Sequence, residues 1–225
     1  MPAISIIIPI YNEIEKLPLL IEQLEPYKYK NQIIIVNDGS EDGSKKILNS
    51  QKNLEIIHHS INLGKGAAIR TALKAVKEDI VMTIDGDLEI DINCIEILIR
   101  KFELSNECVV VGNRWRKDNY NDNNINTFGN YFINKIFNSL YKTELNDILC
   151  CVKILNKKLF NSLNLNSNGF SIEAEIMSKL VLKRTNILEV EVKYNRRSQA
   201  QGKKLKISDG WGILLKMIRI RFKST

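Results

Sequence analysis

The chain has 225 residues, of which 44% are hydrophobic and 26% charged, enough for one sizeable globular domain or one domain with an appendage. No stretch approaches the roughly 18 to 20 uninterrupted apolar residues of a membrane-spanning helix, and the N-terminus lacks a basic, apolar, small-residue leader pattern, so the expected location is cytoplasmic. The net charge of +7 is concentrated at the end: from Lys193 onward there are ten Lys/Arg against one acid, Asp209, while the preceding residues carry 23 basic and 25 acidic side chains. Such a tail suits a substrate diphosphate, an anionic membrane surface or nucleic acid. A nucleic-acid module should interleave aromatics with its basic residues, and this tail has only Tyr194, Trp211 and Phe222, so nucleic acid is not expected as a partner. Cys94, Cys108, Cys150 and Cys151 show no metal-ligand spacing and stand in apolar surroundings, which predicts reduced thiols.

Short β-branched runs alternate with amphipathic stretches, the pattern of parallel strands joined by crossover helices. Ile4 to Ile10 reads as a strand, Ile14 to Leu24 as a helix and Ile33 to Asn37 as a second strand. Asp42 to Ser50 resembles a short helix, Leu54 to His58 a third strand, and Lys65 to Lys77 a helix capped by Asn62 or Gly64. Ile80 to Ile84 is a fourth strand, Ile92 to Glu103 a helix and Cys108 to Gly112 another strand. Further on, Ser171 to Lys183 is a helix whose apolar face includes Ile172, Ile176, Leu180 and Val181, with Glu173 and Glu175 expected at its surface or cap. This is a doubly wound α/β layout with a mostly parallel central sheet, in which ligands gather at the carboxyl ends of the strands.

The chemistry-bearing residues lie at those ends. The fourth strand runs into Asp85-Gly86-Asp87-Leu88-Glu89. Acids at alternate positions of extended chain point the same way, so Asp85, Asp87 and Glu89 form a candidate site for a hard divalent cation, Mg²⁺ or Mn²⁺, held together with the oxygens of a bound diphosphate. After the first strand comes Pro9-Ile10-Tyr11-Asn12-Glu13, and after the second Asn37-Asp38-Gly39-Ser40. A nucleotide base needs an in-plane acceptor and a flat apolar surface, which Asp38 and Tyr11 can provide, while Glu13 can accept from a sugar hydroxyl. The Gly64-Lys65-Gly66 helix entrance either approaches phosphate or allows close packing. His58 and His59 are consecutive, without a partner at metal-binding spacing, and carry no assignment.

Pro9-x-Tyr11-Asn12-Glu13, Asn37-Asp38-Gly39-Ser40, Asn62-Leu63-Gly64-Lys65-Gly66-Ala67-Ala68 and Asp85-Gly86-Asp87 resemble, in this order, the motifs of family 2 glycosyltransferases with the nucleotide-sugar-binding GT-A fold. Downstream, Gly112-Asn113-Arg114, the segment opened by Asp147, Ile187 to Val192, and Arg197 to Leu205 resemble the branch that makes polyprenyl-phosphate sugars. Cys151, Glu191 and Ala200-Gln201 depart from that branch's pattern, all on the acceptor side. The resemblance implies a metal-dependent, inverting glycosyltransferase. It would use a UDP- or GDP-linked sugar, with a polyprenyl phosphate acceptor or, as the alternative, a saccharide in surface glycan synthesis. A non-catalytic nucleotide-sugar-binding protein is the remaining class.

The same resemblance places Pro9, Tyr11, Glu13, Asp38, Lys65, Asp85 and Gly86 at the donor, and Arg114, Arg197 and Lys204 at donor or acceptor phosphates. Asp87, Asp147 and Arg114 are its catalytic candidates. A lipid phosphate is already anionic and needs no strong base, whereas a sugar hydroxyl requires a carboxylate to take its proton; Asp147 is then the first position to examine. The expected organisation is a GT-A domain over 1–206, with a nucleotide-sugar half (1–115) and an acceptor half (116–206), followed by a basic amphipathic helix at 207–225. Ile207, Trp211, Leu214, Leu215, Ile218 and Phe222 share one face of that helix, which predicts either docking on its own domain or peripheral contact with an anionic bilayer.

Overall fold

A computed structural model describes residues 2–105, 109–115, 125–196 and 207–223, with the backbone alone for 125–128 and 207–208. In chain order the elements are β1 (Ser5–Ile10), α1 (Leu17–Leu24), β2 (Gln32–Asn37), α2 (Ser44–Asn49), β3 (Glu55–His58), α3 (Lys65–Ala75), β4 (Ile80–Thr83) and α4 (Cys94–Leu104). They continue with β5 (Val109–Asn113), α5 (Ile125–Tyr141), β6 (Lys153–Asn156), α6 (Lys157–Ser162), α7 (Ile172–Leu182), β7 (Ile187–Glu191) and α8 (Ile207–Lys223). The strands form one seven-stranded sheet in the order β3-β2-β1-β4-β6-β5-β7. β1 is parallel to β2 and β4, β2 to β3 and β5 to β7, while β6 runs antiparallel to both of its neighbours.

The strands read as near-continuous apolar runs because both faces of the sheet are covered. Ile6, Ile8 and Ile10 of β1 face Leu17, Leu20 and Leu24 of α1 and Ile95 and Leu98 of α4. One residue out of phase, Ile7 joins Ile34 and Val36 beneath Ala68, Ile69 and Ala72 of α3 and Ile172, Ile176 and Leu180 of α7. α1 starts three residues later than the sequence pattern indicates, with Pro18 in its first turn, where a missing N–H costs nothing.

α8 belongs to the second core through Ile213 and Met217. Of the apolar stripe singled out in the sequence, Trp211, Leu215, Ile218 and Phe222 are exposed while Leu214 packs against the second core, and the helix docks through the stripe Ile213, Met217 and Ile220. Tyr141 Oη donates to the Met217 carbonyl at 2.8 Å, and Arg221 Nε donates to the Leu140 carbonyl at 3.0 Å, fixing α8 against α5.

The entrance of α3 decides between the two readings of its glycines. Gly64 has φ +95°, and Cβ atoms on Gly64 and Gly66 would lie 2.5 Å from Asn168 O and 2.3 Å from Ser167 O. The loop before α7 is thus pressed onto the helix end, and Asn168 O accepts the Ala67 N–H at 3.1 Å. The glycines serve close packing, and the Ala67 N–H of the helix terminus is capped by the loop. Gly66→Ala would force a backbone-to-backbone shift and should cost about 3 kcal/mol in urea unfolding; a midpoint unchanged from wild type would contradict this packing.

Candidate active site

The carboxyl ends of β1, β2 and β4 open into one cavity of about 350 Å³, the size range of small-ligand pockets. Pro9, Tyr11, Glu13, Asp38, Lys65, Asp85, Gly86, Asp87, Glu89 and Arg114, all singled out from the sequence, line it, together with Phe170, Glu173 and Tyr194 from the second half of the chain. Side chains knit the strand-end loops to one another. Asn12 N donates to Ser40 Oγ (2.9 Å), Glu41 N to Asn12 Oδ1 (2.9 Å), and Ile14 N to Asp42 Oδ2 (2.8 Å).

Asp38 is almost fully buried and heavily engaged. Its Oδ1 accepts from Leu63 N (2.9 Å) and from His59 Nδ1 (2.7 Å), and its Oδ2 accepts from Gly64 N (2.8 Å). It therefore positions the 62–64 loop as well as facing the cavity. His59, unassigned from sequence, proves to be its partner.

The acids at 85, 87 and 89 do not converge as strand alternation would have them. β4 ends at Thr83, and Leu88 takes a positive φ of 58°, so the chain is no longer extended where the period-2 argument needs it. Asp85 turns to Lys65, whose Nζ donates to Oδ2 at 2.8 Å. Asp87 Oδ1 accepts its own loop's Glu89 N–H at 3.0 Å, and Glu89 Oε2 accepts from Tyr194 Oη at 3.1 Å. Among the described residues no three His, Cys, Asp or Glu side chains stand close enough to hold a cation unaided. The sequence expectation of a cation shared between these acids and diphosphate oxygens asks for only one or two of the carboxylates, the usual arrangement for Mg²⁺ beside a diphosphate. The donor chemistry fits: Asp85 Oδ1 is a buried oxygen with no directed hydrogen bond, 2.7 Å from the Lys65 ammonium.

Asp147 is not a free proton acceptor. It is 2% exposed, and it takes Arg114 Nε on Oδ2 (2.7 Å), Arg114 Nη2 on Oδ1 (2.8 Å) and the Arg114 N–H (3.0 Å). Burial works against the Arg114 charge, but the Asp147 carboxylate outweighs it and raises the guanidinium pKa above its ordinary value. The guanidinium also lies 5.3 Å from the Trp115 ring centre and 5.4 Å from that of Tyr194. Burial, and then Glu89, push the Tyr194 hydroxyl pKa up. The result is a rigid, permanently charged Arg114 in the cavity wall, with Asp147 as the residue that orients it.

Glu173 and Glu175 overturn the surface expectation. Glu175 is fully buried and accepts from Asn166 N and Ser167 N, anchoring the loop pressed on α3. Glu173, 4% exposed, pairs with Lys65 Nζ at 2.7 Å and with the buried Lys153 ammonium of β6. The missed signal was that α7 has no polar face: Ala174, Met177 and Ser178 are buried along with Ile172 and Ile176, so its acids had nowhere to go but inward. Arg197 and Lys204 lie outside the described residues, as does Cys108.

The fold, with its cavity at the carboxyl ends of the strands, is that of the GT-A glycosyltransferases. The model of "Glycosyl transferase family 2" matches residues 5–163, and the chain belongs to that family. Among solved structures it is similar to glucosyl-3-phosphoglycerate synthase from Mycobacterium tuberculosis in complex with UDP (TM-score 0.74, 16% identity, 98% of this chain and 80% of that one). Mannosyl-3-phosphoglycerate synthase from Rubrobacter xylanophilus is comparable (TM-score 0.75, 18% identity, 99% and 74%). The M. tuberculosis enzyme has been crystallised with Mn²⁺ and with Mg²⁺ alongside UDP. Curated relatives include a dolichyl-phosphate beta-glucosyltransferase of Trichomonas vaginalis (25% identity, 91% of this chain, 68% of the relative). Another is the undecaprenyl-phosphate 4-deoxy-4-formamido-L-arabinose transferase of Proteus mirabilis (27%, 89% and 62%). The chain thus spans roughly two thirds of the length of these relatives.

Burial alone would raise the Glu173 pKa, but Lys153 and Lys65 lower it below the ordinary 4.5. A carboxylate depressed on folding contributes stability that is fully present above its unfolded pKa and disappears as pH falls through the folded value. Glu173→Gln should therefore cost about 3–5 kcal/mol at neutral pH, because Lys153 loses its carboxylate partner. The deficit should shrink in urea unfolding series taken below pH 4.5; a deficit constant across that range would refute the buried pairing.

Proposed function

We propose that the chain transfers a sugar, with inversion, from a UDP- or GDP-linked donor to a polyprenyl (dolichyl-type) phosphate. The carrying observation is the Arg114–Asp147 pair. The acid best placed by sequence to act as a base is spent on presenting a guanidinium, which suits an anionic acceptor that needs no base and is ill matched to a neutral hydroxyl. The names of the curated relatives, transferases to dolichyl and undecaprenyl phosphate, favour the same acceptor class.

On this reading Tyr11, Glu13 and Asp38 hold the nucleoside, with Pro9 and Gly86 shaping the wall, and Lys65 and Arg114 face the diphosphate and the acceptor phosphate. A divalent cation, Mg²⁺ or Mn²⁺, held by Asp87 and Asp85 with diphosphate oxygens, would supply positive charge to the leaving group. An acceptor phosphate oxygen attacks the anomeric carbon, the bond from that carbon to the diphosphate oxygen breaks, and nucleoside diphosphate departs. Arg114 stabilises charge shared between entering and leaving phosphates.

Incubation with radiolabelled nucleotide sugars and polyprenyl phosphate should move label into the organic phase. Asp87→Ala should abolish that transfer, and Arg114→Lys should lower it about 10²-fold by losing the fixed fork. Label appearing instead on an added oligosaccharide, or full turnover by Asp87→Ala, would refute the reading.

A lipid acceptor also calls for peripheral membrane contact. Among the described residues no helix is long and apolar enough to cross a membrane. α8 instead offers Trp211 (70% exposed), Leu215 (63%) and Phe222 (67%), flanked by exposed Arg219 and Lys223, a composition suited to the surface of an anionic bilayer. The combined Trp211→Ser, Leu215→Ser, Phe222→Ser variant should lose flotation with phosphatidylglycerol liposomes while retaining its melting temperature; flotation equal to wild type would remove this surface from the proposal.

A further inference from the structure

Asp38 has one free place for a nucleotide base, not two. An ionised carboxylate offers about four acceptor positions, two on each oxygen. Both positions on Oδ1 are taken, by Leu63 N at 2.9 Å and His59 Nδ1 at 2.7 Å, and one on Oδ2 is taken by Gly64 N at 2.8 Å. Because the carboxylate can only accept, His59 Nδ1 carries the proton. Its Nε2 is fixed in turn by Thr71 Oγ1 at 2.9 Å. The imidazole is buried, its side chain only 8% exposed, so water does not compete for Oδ1.

Bases differ in the number of donors they present side by side. Uracil has a single ring N–H between two carbonyls, whereas guanine has a ring N–H next to an exocyclic amine and pairs with a carboxylate through both oxygens. We propose that His59, by saturating Oδ1 of Asp38, makes the cavity selective for uridine over guanosine diphosphate donors. His59 is a positioning residue that acts through Asp38. The inference rests on the reading of this cavity as the nucleotide-sugar site and narrows its donor class. In such a site guanine would leave one donor without a partner, the kind of mismatch polar pockets reject most strongly.

Isothermal titration of the full chain with UDP and with GDP, each at the same fixed MnCl₂ concentration, tests the proposal. UDP should bind about tenfold or more tightly than GDP. His59→Leu frees an Oδ1 position and should bring the ratio toward one, mainly by improving GDP. His59→Asn can still donate from the Nδ1 position and should keep the wild-type ratio, an outcome that general loosening of the loop would not produce. Melting curves identify a variant that fails to fold, and the wild-type ratio needs no variant. Equal or tighter binding of GDP by the wild type overturns the proposal while leaving the nucleotide-sugar reading intact, as does a folded His59→Leu with an unchanged ratio. Binding of neither nucleotide removes the nucleotide-sugar reading itself.

Discussion

One ammonium group ties together the separate pieces of chain that make the cavity. Lys65 Nζ, on the first residue of α3, lies 2.7 Å from Asp85 Oδ1 beyond β4 and 2.7 Å from Glu173 Oε1 on α7. Glu173 continues the chain to Lys153 on β6, which among the described strands is the one that runs against the rest. Burial opposes the charge on Lys65, yet the two carboxylates more than compensate and hold its pKa above the ordinary lysine value. Buried ion pairs are weak sources of net stability, because desolvation consumes much of the Coulomb gain. What this row of alternating charges does supply is a fixed mutual position. A helix entrance, a strand end and a helix from the second half of the chain meet at one nitrogen, and glycines at 64 and 66 let the backbones come close enough for that to happen.

The first half of the fold was legible because its strands are buried on both faces and its helices are amphipathic, so periodicity and length carry the information. Ile4–Ile10, Ile33–Asn37 and Ile80–Ile84 stand within a residue or two of β1, β2 and β4, and the motifs fall where α/β topology puts ligand sites. The second half resisted for physical reasons. β6 is short and carries a buried lysine, which no apolar pattern reveals. α7 is covered on nearly all sides, so its acids looked like surface residues. The carboxylates at 85, 87 and 89 all line the cavity, but they do not point the same way, because alternation holds only while the chain remains extended.

Asp147 shows how the surroundings of a carboxylate bear on its role. A carboxylate that accepts three hydrogen bonds from Arg114 gains nothing by taking a proton, since doing so would break a bidentate pair in a buried setting. Glu189 deepens the constraint by accepting from Asn146 N (2.9 Å) and Asp147 N (3.0 Å), fixing the backbone that carries Asp147. The aromatic rings of Trp115 and Tyr194 flank the guanidinium, which still lines the cavity. The site therefore offers fixed positive charge where proton abstraction would call for a labile carboxylate.

α8 carries two apolar stripes about half a turn apart, and the order in which they are satisfied bears on the proposed acceptor. The stripe Ile213, Met217 and Ile220 is consumed by docking, and Lys216 reaches back to within 3.4 Å of Glu175, the same carboxylate that anchors the loop on α3. Docking therefore fixes which way Trp211, Leu215 and Phe222 point. Ile213 lines the cavity on the inner side of the helix, so α8 separates the cavity from its own exposed apolar stripe by no more than one helix width, on the order of 10 Å. If that stripe rests on a bilayer, the cavity lies about one helix width from the lipid surface, on the order of 10 Å. A helix with a single apolar face could dock or bind lipid; two faces are needed to do both at once.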